Sequence, residues 1–323
     1  MRVSSYLLLS LGVSLAIPFA APAMAQEYPA QGKTLTINVP WNAGGGVDAA
    51  VRLLQPGLEQ SLGIPVQVVN QPGGGSQAGL SRCMSERPDG YTLCASSLPS
   101  TNLTYVVPDR GAPYTRDSFK SVATVAFEFG SVVVGKDSPY KSIEDLVTDA
   151  RARPGQVRAG NAGRFTNAHI DMLAFERATE TQLAPVFFSG GAPAITALMG
   201  GHVDIVTSTP SNYMGQVQSG DVRVLGIMSS EESPLLPCVP TIAEEGYEVS
   251  GFTTRTFAFQ PDVPDEIAAK MEAAILEAAA SDQFKEGMAR LGAEVRLMGA
   301  TETSELWDKV DADIVDLLAT QKE

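Results

Sequence analysis

Positive charge and metal-binding side chains are scarce in this chain. Its 323 residues carry 23 Lys and Arg against 37 Asp and Glu, a formal net charge of -14, and no run of five like charges occurs. A basic surface able to hold nucleic acid or an anionic membrane is therefore not expected. Only two histidines and three cysteines are present, which excludes zinc ribbons, four-cysteine clusters and multi-histidine sites, so we expect no metal.

Long apolar segments are absent after residue 25, so no membrane-spanning helix is predicted there. The first residues combine Arg2, an apolar segment at 6–21 and small residues at a cleavage position. This pattern is typical of a secretory signal peptide. We predict that residues 1–25 are this signal, with cleavage before Gln26 and export of the mature protein. A membrane anchor is the alternative, but prolines interrupt the short apolar segment.

The three cysteines, Cys83, Cys94 and Cys238, allow one disulfide in an exported protein. Cys83 falls late in a helical pattern and Cys94 in the strand after it, with a Pro-Asp-Gly turn between them. A Cys83–Cys94 disulfide and three buried free thiols are both open at this point. Cys238 is expected to be unpaired.

Strand and helix patterns alternate along the chain, which is typical of an α/β fold with parallel sheets. The predicted strands are 35–40, 64–70, 91–95, two within 121–135, 157–160, 184–188, 203–207, 222–228 and an extended stretch at 249–259. The predicted helices are 47–61, 77–86, 143–153, 166–179, 193–199, 264–280, a further one from 281, and 303–319.

Two blocks of these units predict two domains. We assign residues 26–125 plus 252–323 to domain 1 and residues 126–251 to domain 2. The extended stretches at 127–129 and 249–259 would carry the chain between them. Two such crossovers permit hinge closure on a ligand in the cleft.

Glycine-rich turns follow the first two predicted strands, at 44–46 and 73–75. Each fits a loose G-x-G-x-x-A pattern of dinucleotide sites. However, the second strand ends in Asn70 where an acidic residue would hold the ribose, and nicotinamide cofactors are scarce outside the cell, so we expect no cofactor. The first turn still presents a helix N-terminus, which suits a carboxylate as well as a phosphate. A plain strand-to-helix turn is the alternative.

Six motifs follow one another across most of the chain. They are VPWNAGGGVDAAVR at 39–52, VNQPGGG at 69–75, PDGYTL at 88–93, AGNAGRFTNAHI at 159–170, PVFFSGGAPAITALMGGHVDI at 185–205 and LPCVPTIAEEG at 236–246. This series resembles the periplasmic solute-binding proteins of tripartite tricarboxylate transporters, the TctC or Bug family. The resemblance implies an α/β, two-domain periplasmic binding protein of type II, a Venus flytrap, with two interdomain crossovers.

The resemblance also implies a function without catalysis. A small carboxylate would be captured for the membrane subunits of a transporter, and we expect a monomer. The carboxylate would be held by the first β–α loop and a facing loop of domain 2, largely through backbone amides, hydroxyls and waters. The ligand-binding residues implied in this way are Trp41, Asn42, Ala43, Gly44, Gly45, Asp48, Ser97, Gly163, Arg164, Phe165, Thr166, Asn167, Ser189 and Gly190.

Three departures from the family pattern bear on the ligand. Ser208 stands where members often have an Asp suited to an ammonium group, which argues against an amino-acid ligand. Arg164 stands where a small or apolar residue is usual, and Arg255 lies in a stretch that is usually aromatic and glycine-rich. We hypothesise that Arg164 or Arg255 pairs with the second carboxylate of a dicarboxylate. A surface or ion-paired arginine is the alternative.

Aromatic side chains in the same motifs leave the class of acid open. Trp41, Phe165 and Phe188 would form apolar walls that favour an aromatic or longer-chain acid, or they would pack in the core. We therefore predict a di- or tricarboxylate or an aromatic acid.

Two other functions remain alternatives. The same fold can serve as a ligand sensor for a signalling protein, and its ligand site would look identical. An exported hydrolase would need a nucleophile and a base, yet no G-x-S-x-G occurs and neither histidine lies beside a Ser or Cys motif.

Overall fold

The structure is a computed structural model, and it describes residues 28–320 of the chain. The predicted signal peptide, residues 1–25, lies outside the described residues, so cleavage before Gln26 stays a prediction. Among the residues described, no helix is long and apolar enough to cross a membrane.

A six-stranded sheet combines the first part of the chain with its last part. Its strands and the helices that pack with them are β1 (Leu35–Val39), α1 (Gly46–Leu62), β2 (Val66–Asn70), α2 (Gln77–Met84), β3 (Thr92–Ser96), α3 (Ser100–Val106), β4 (Lys120–Phe129), β10 (Phe252–Phe259), α8 (Asp265–Ala279), α9 (Asp282–Arg290), β11 (Glu294–Met298) and α10 (Ala300–Thr320). The strand order is β11-β4-β10-β3-β1-β2. We call these elements the first lobe.

A five-stranded sheet is formed by the middle of the chain. Its elements are β5 (Ser131–Gly135), α4 (Ile143–Ala152), β6 (Arg158–Asn161), α5 (Asn167–Thr179), β7 (Ala184–Phe187), α6 (Gly191–Met199), β8 (Ile205–Ser208), α7 (Met214–Gln218) and β9 (Val222–Ile227). The strand order is β7-β6-β8-β5-β9. We call these elements the second lobe.

Both sheets are mixed, which corrects the prediction of parallel sheets. In the first lobe, β10 is antiparallel to β3 and β4, and β11 is antiparallel to β4. In the second lobe, β5 is antiparallel to β8 and β9. The connectivity explains this, because a parallel pair needs a crossover within its own sheet. Instead, β4 continues through the single residue Gly130 into β5, and β10 brings the chain back.

The two crossovers between the lobes lie side by side. The amide of Gly130 donates to the carbonyl of Gly251 at 2.7 Å, and the amide of Gly251 donates to the carbonyl of Met228 at 3.0 Å. Met228 in turn donates to the carbonyl of Gly130 at 2.8 Å. Because β4 runs on to Phe129, the predicted boundary after residue 125 falls inside a strand. The domain boundaries stay a prediction.

A buried carboxyl group faces both crossover glycines. A Cβ built on Gly130 would lie 2.5 Å from Oδ2 of Asp171, and one on Gly251 would lie 2.6 Å from Oδ1. Asp171 is 2% exposed, and no described residue donates a hydrogen bond to its Oδ2. Burial therefore raises the pKa of Asp171 well above its usual value.

Apolar packing fixes the helices that carry the predicted ligand loops. On one face of the first sheet, α1 buries Leu54 and Leu58 and approaches α8 so closely that a Cβ on Gly57 would lie 2.7 Å from the Cβ of Ala278. Between the lobes, a single apolar cluster joins Phe175 of α5 to Trp307 of α10. The starts of α1 and α5 are thus held by buried contacts and not by their loops alone.

The structure pairs Cys83 with Cys94, joining α2 to β3 with their Cα atoms 6.0 Å apart. This pairing is one of the two arrangements that the sequence left open. Cys238 is free and exposed.

The buried carboxyl of Asp171 predicts an unusual pH dependence of stability. A carboxyl whose pKa is raised in the folded state makes the protein less stable as pH rises above the ordinary Asp pKa towards the raised value. Asp171→Asn removes the ionisable group while keeping its shape. We expect this variant to raise the melting temperature at neutral pH and to lose that advantage below about pH 4.

The control for this comparison is Asp313→Asn. Asp313 lies on α10 and lines the same cavity as Asp171 and Gly251, but it is exposed and paired with Lys309. Thermal melts from pH 4 to 8 decide the matter. A melting temperature that Asp171→Asn leaves unchanged or lowers at every pH would contradict the assignment.

Candidate functional site

Most of the predicted ligand residues lie at the ends of strands. In the first lobe they follow β1 and β3, in the second lobe they follow β6 and β7, and Ser208 is the last residue of β8. Ligands of open α/β sheets bind outside the carboxyl ends of parallel strands. The two edges meet through Glu128 of β4, which accepts the amide of Ser211 after β8 at 3.2 Å.

The first loop joins β1 to α1 and leaves its backbone open to solvent. Asn42, Ala43 and Gly44 are exposed, Trp41 is half-buried against the first-lobe core, and the amide of Gly45 donates to the carbonyl of Asn42 at 3.3 Å. No side-chain hydrogen bond caps the start of α1. Its first amides are therefore available to an anion.

Asp48 supports this loop from behind. Its carboxylate accepts from the Gly44 amide at 2.8 Å, from Arg52 Nε at 2.9 Å and from Asn70 Nδ2 at 2.9 Å. Burial acts to raise the pKa of Asp48, but these hydrogen bonds outweigh it and the pKa is lowered. Asp48 was predicted to bind the ligand, whereas in the structure its carboxylate forms hydrogen bonds that support the turn.

Ser97 and Ser208 lie deeper than the loops. Ser97 follows β3, is buried, and shares a 2.7 Å hydrogen bond between its hydroxyl and that of Thr253 in β10. Ser208 ends β8, is buried, and stands opposite Ser131 in the strand register. Both residues are therefore buried at the ends of their strands.

The loop between β6 and α5 has a specific backbone shape. Phe165 takes a left-handed φ of 55°, and its amide donates to Nδ1 of His169 at 3.2 Å. The hydroxyl of Thr166 donates to the carbonyl of Gly163 at 2.8 Å. Burial lowers the pKa of His169 to about 4, with the charge of Arg164 adding to the effect. The imidazole is therefore neutral at neutral pH and can accept the Phe165 amide.

Arg164 is the exposed side chain of this loop. Its guanidinium carbon lies 5.0 Å from the ring centroid of Phe165, which packs against the core cluster shared by the lobes. Asn167 begins α5 directly after Thr166. Arg164 thus stands beside a helix N-terminus, where an anion is favoured.

A third helix begins at the loop after β7. Ser189 is exposed, Gly190 precedes the helix, and α6 starts at Gly191. A Cβ on Gly191 would lie 2.4 Å from Cγ of Asn212, so Asn212 lies directly against this helix start. The motifs pointed to Ser189 and Gly190 but gave no signal for Asn212, which approaches only in the folded chain. Phe188 packs against the second-lobe core, as the core alternative expected.

Arg255 is ion-paired, which is the alternative that the sequence left open. It was a candidate for binding the second ligand carboxylate, but it is 5% exposed and forms an ion pair with Glu128. Its Nε also donates to the carbonyl of Gly46 at 3.3 Å. The reason is its position on β10, an interior strand of the sheet, beneath the start of α1. Burial lowers the pKa of Arg255 to about 10, which leaves it charged at neutral pH.

The geometry also explains a glycine in the first turn. A Cβ on Gly46 would lie 2.6 Å from Nη2 of Arg255. This glycine therefore makes room for a buried arginine, and the exposed Gly44 remains for close approach of a ligand. Among residues 28–320, no group of three or more His, Cys, Asp or Glu side chains could hold a metal ion.

These features define a two-lobed solute-binding protein. Residues 50–313 match the tripartite tricarboxylate transporter family receptor, TctC. The chain therefore belongs to the TctC family, as the motifs predicted, and receptors of this family are periplasmic solute-binding proteins.

Individual relatives agree with this assignment. BugT of Bordetella pertussis is 31% identical over 243 residues, covering 75% of this chain and 74% of BugT. A TctC solute-binding protein from Polaromonas superposes with a TM-score of 0.79 at 23% identity, covering 91% and 100% of the two chains. MatC from Rhodopseudomonas palustris, with bound malate, superposes with a TM-score of 0.75 at 25% identity, covering 89% of this chain and 99% of MatC. The predicted two-domain type II fold is confirmed.

The role assigned to Asp48 predicts a local effect. Asp48→Asn removes the charge that Arg52, Asn70 and the Gly44 amide share, and should cost about 1–3 kcal/mol of unfolding free energy at neutral pH. Because the pKa of Asp48 is lowered, the native carboxylate stabilises the fold above the ordinary Asp pKa. The difference between wild type and variant should fade only as acid protonates the group.

Glu59→Gln is the matched control, since Glu59 lies on the same helix and accepts the Val66 amide at 3.0 Å, remote from the turn. Amide hydrogen exchange over residues 42–46 should quicken in Asp48→Asn and stay unchanged in Glu59→Gln. Equal exchange in the two variants would refute the supporting role of Asp48.

Proposed function

We propose that this protein captures a small dicarboxylate between its lobes and presents it to the membrane subunits of a tripartite transporter. The observation that carries the proposal is the arrangement of three helix starts, those of α1, α5 and α6, at strand ends in both lobes. Backbone amides at helix starts bind carboxylates without any need for net positive charge. This suits a chain with a formal charge of -14.

The nearby acidic side chains do not oppose an anion. Asp48 is neutralised by Arg52, and Glu128 by Arg255. An unshielded carboxylate near the loops would repel the ligand, whereas a paired one adds little field at a distance. This supports a carboxylate in the cleft and is consistent with the malate found in MatC.

Arg164 is the side chain that we assign to the second carboxylate. Arg255 is already committed to Glu128, so of the two predicted arginines only Arg164 is exposed beside a loop. Bidentate pairing of its guanidinium with a carboxylate would favour a ligand charged at both ends. Ser208, which is neutral, supplies no charged partner for an ammonium group.

Binding would then couple to closure of the lobes. The ligand would favour the closed arrangement because only that arrangement lets loops of both lobes contact it. The hydrogen-bonded crossovers at Gly130 and Gly251 are the natural hinge. Export and signal cleavage before Gln26 belong to this proposal.

The test is a thermal-shift and calorimetric series on the mature protein. Probes are malate, succinate, citrate and phthalate, with butyrate and benzoate as monoacids and glutamate as an amino acid. A ligand at a hundred times its Kd should stabilise the fold by about 2.7 kcal/mol. Affinity should fall as pH drops towards the ligand's own carboxyl pKa. No binding by any acid, or a preference for glutamate, would overturn the proposal.

The variant Arg164→Ala tests whether this arginine binds the second carboxylate. It should weaken dicarboxylate binding by about tenfold or more and leave monoacid binding nearly unchanged. Arg87→Ala is the control, since Arg87 is a highly exposed arginine of the first lobe. If both variants bind succinate like wild type, Arg164 does not hold the second carboxylate.

A further inference from the structure

A buried ion pair lies beneath the first ligand loop. The side chains of Glu128 and Arg255 are 1% and 6% exposed, and they join the neighbouring strands β4 and β10. Arg255 uses all three of its nitrogens: Nη2 donates to Glu128, Nε to the carbonyl of Gly46 at 3.3 Å, and Nη1 to that of Thr254 at 3.1 Å. One side of the pair therefore contacts the first residue of α1.

The other side of the pair crosses to the second lobe. Oε1 of Glu128 accepts from Arg255, while Oε2 accepts the amide of Ser211 at 3.2 Å. Ser211 belongs to a short 3-10 helix, Pro210–Asn212, directly after β8. A strand-to-strand ion pair alone would need only one of these two oxygens.

The contacts continue to the helix start in the second lobe. Asn212 follows Ser211 and stands against Gly191, the first residue of α6. Its Nδ2 donates to the Thr209 hydroxyl at 3.2 Å, which orients the amide there. An unbroken series of contacts thus runs from the start of α1 through Arg255, Glu128 and Ser211 to the start of α6.

A second contact seats the same 3-10 helix on the first lobe. A Cβ on Gly292 would lie 2.7 Å from the Cβ of Pro210 and 3.3 Å from the amide nitrogen of Ser211. Gly292 has a φ of 76°, so glycine suits both the backbone and the close approach. The helix is therefore packed on one side and hydrogen-bonded by Glu128 on the other.

We infer that Glu128 is a positioning residue that connects the ligand loops of the two lobes. Its two carboxylate oxygens set the start of α1, through Arg255, relative to the loop that carries Ser211 and Asn212. A buried charge needs all its hydrogen bonds, so the pair resists displacement of either loop. The inference deepens the proposed function and rests on it, because these loops are the ones that would hold the carboxylate.

The first measurement needs no ligand. Amide hydrogen exchange is followed by mass spectrometry in the unliganded protein, in wild type and Glu128→Gln. In Gln one of the two acceptor oxygens is replaced by an NH2 group, so a donor would face either Arg255 or the Ser211 amide. We expect exchange to quicken about tenfold in the peptides covering 209–213 and 42–50, and to stay unchanged over β6 and β7.

Glu294→Gln is the matched control. Glu294 also lies on the first sheet and reaches the other part of the chain, accepting the Ser233 hydroxyl at 2.5 Å, but it touches neither ligand loop. It should leave both peptides unchanged. If Glu128→Gln does not fold, the pair is removed whole as Glu128→Met with Arg255→Met, which leaves no buried charge unpaired and no side-chain acceptor for the Ser211 amide at position 128. That variant should show the same local quickening.

Malate affinity, measured by calorimetry, separates this inference from the proposed function. Glu128→Gln should weaken malate binding about tenfold, with no such change in Glu294→Gln. If wild type binds no carboxylate, the proposed function fails while the exchange result still decides the role of Glu128. Exchange that is unchanged in both peptides, or that rises uniformly over both lobes, would reduce the pair to a structural contact and overturn the inference.

Discussion

The antiparallel pairing of β4 with β10 is the constraint on which the rest of the structure depends. These strands are neighbours in the first sheet, with Phe129 opposite Phe252 and Glu128 opposite Thr253. One strand leaves the first lobe and the other returns to it, so both crossovers emerge at one point. Gly130 and Gly251 can then hydrogen-bond to each other. The same pairing brings Glu128 and Arg255 together beneath the first ligand loop.

Local pairing of acidic side chains is the second general feature of the molecule. A chain rich in acidic residues would hold an anion chiefly with backbone amides, and it neutralises the acidic groups beside the site by local pairing. The carboxylate of Asp48 is hydrogen-bonded within its own turn, and that of Glu128 is bound by Arg255 and by the amide of Ser211. Beside the crossovers, Asp171 is buried and forms no ion pair with any residue in the described range 28–320, and this burial raises its pKa.

Much of the fold was predictable from the sequence because its signals are local. The first turn, its flanking strand and α1 follow from a buried strand, three glycines and an amphipathic helix. The patterns gave no indication of α3, α7 and β11, which have seven, five and five residues and too few turns or alternations to register. Strand direction was also missed, because pairing between β4 and β10 joins residues more than a hundred positions apart.

The resemblance to the TctC family implied ligand loops at 42–45, 163–167 and 189–190, and each of these loops lies between a strand and the helix that follows it. Their role in binding stays a prediction. The sequence was less informative about the roles of single side chains. It could not tell that Arg255 faces Glu128, that Asp48 folds back on Gly44, or that Asn212 reaches Gly191. Those facts depend on long-range packing and on the direction of each side chain.

The central claim is that backbone amides from both lobes hold the ligand carboxylates. The most direct test is an amide nitrogen–proton NMR titration of the mature protein with the tightest-binding acid found. The account predicts that the largest shift changes occur together in residues 42–46, 163–167 and 189–191, and saturate at one ligand per protein. Changes confined to one lobe, or centred away from these three loops, would contradict it.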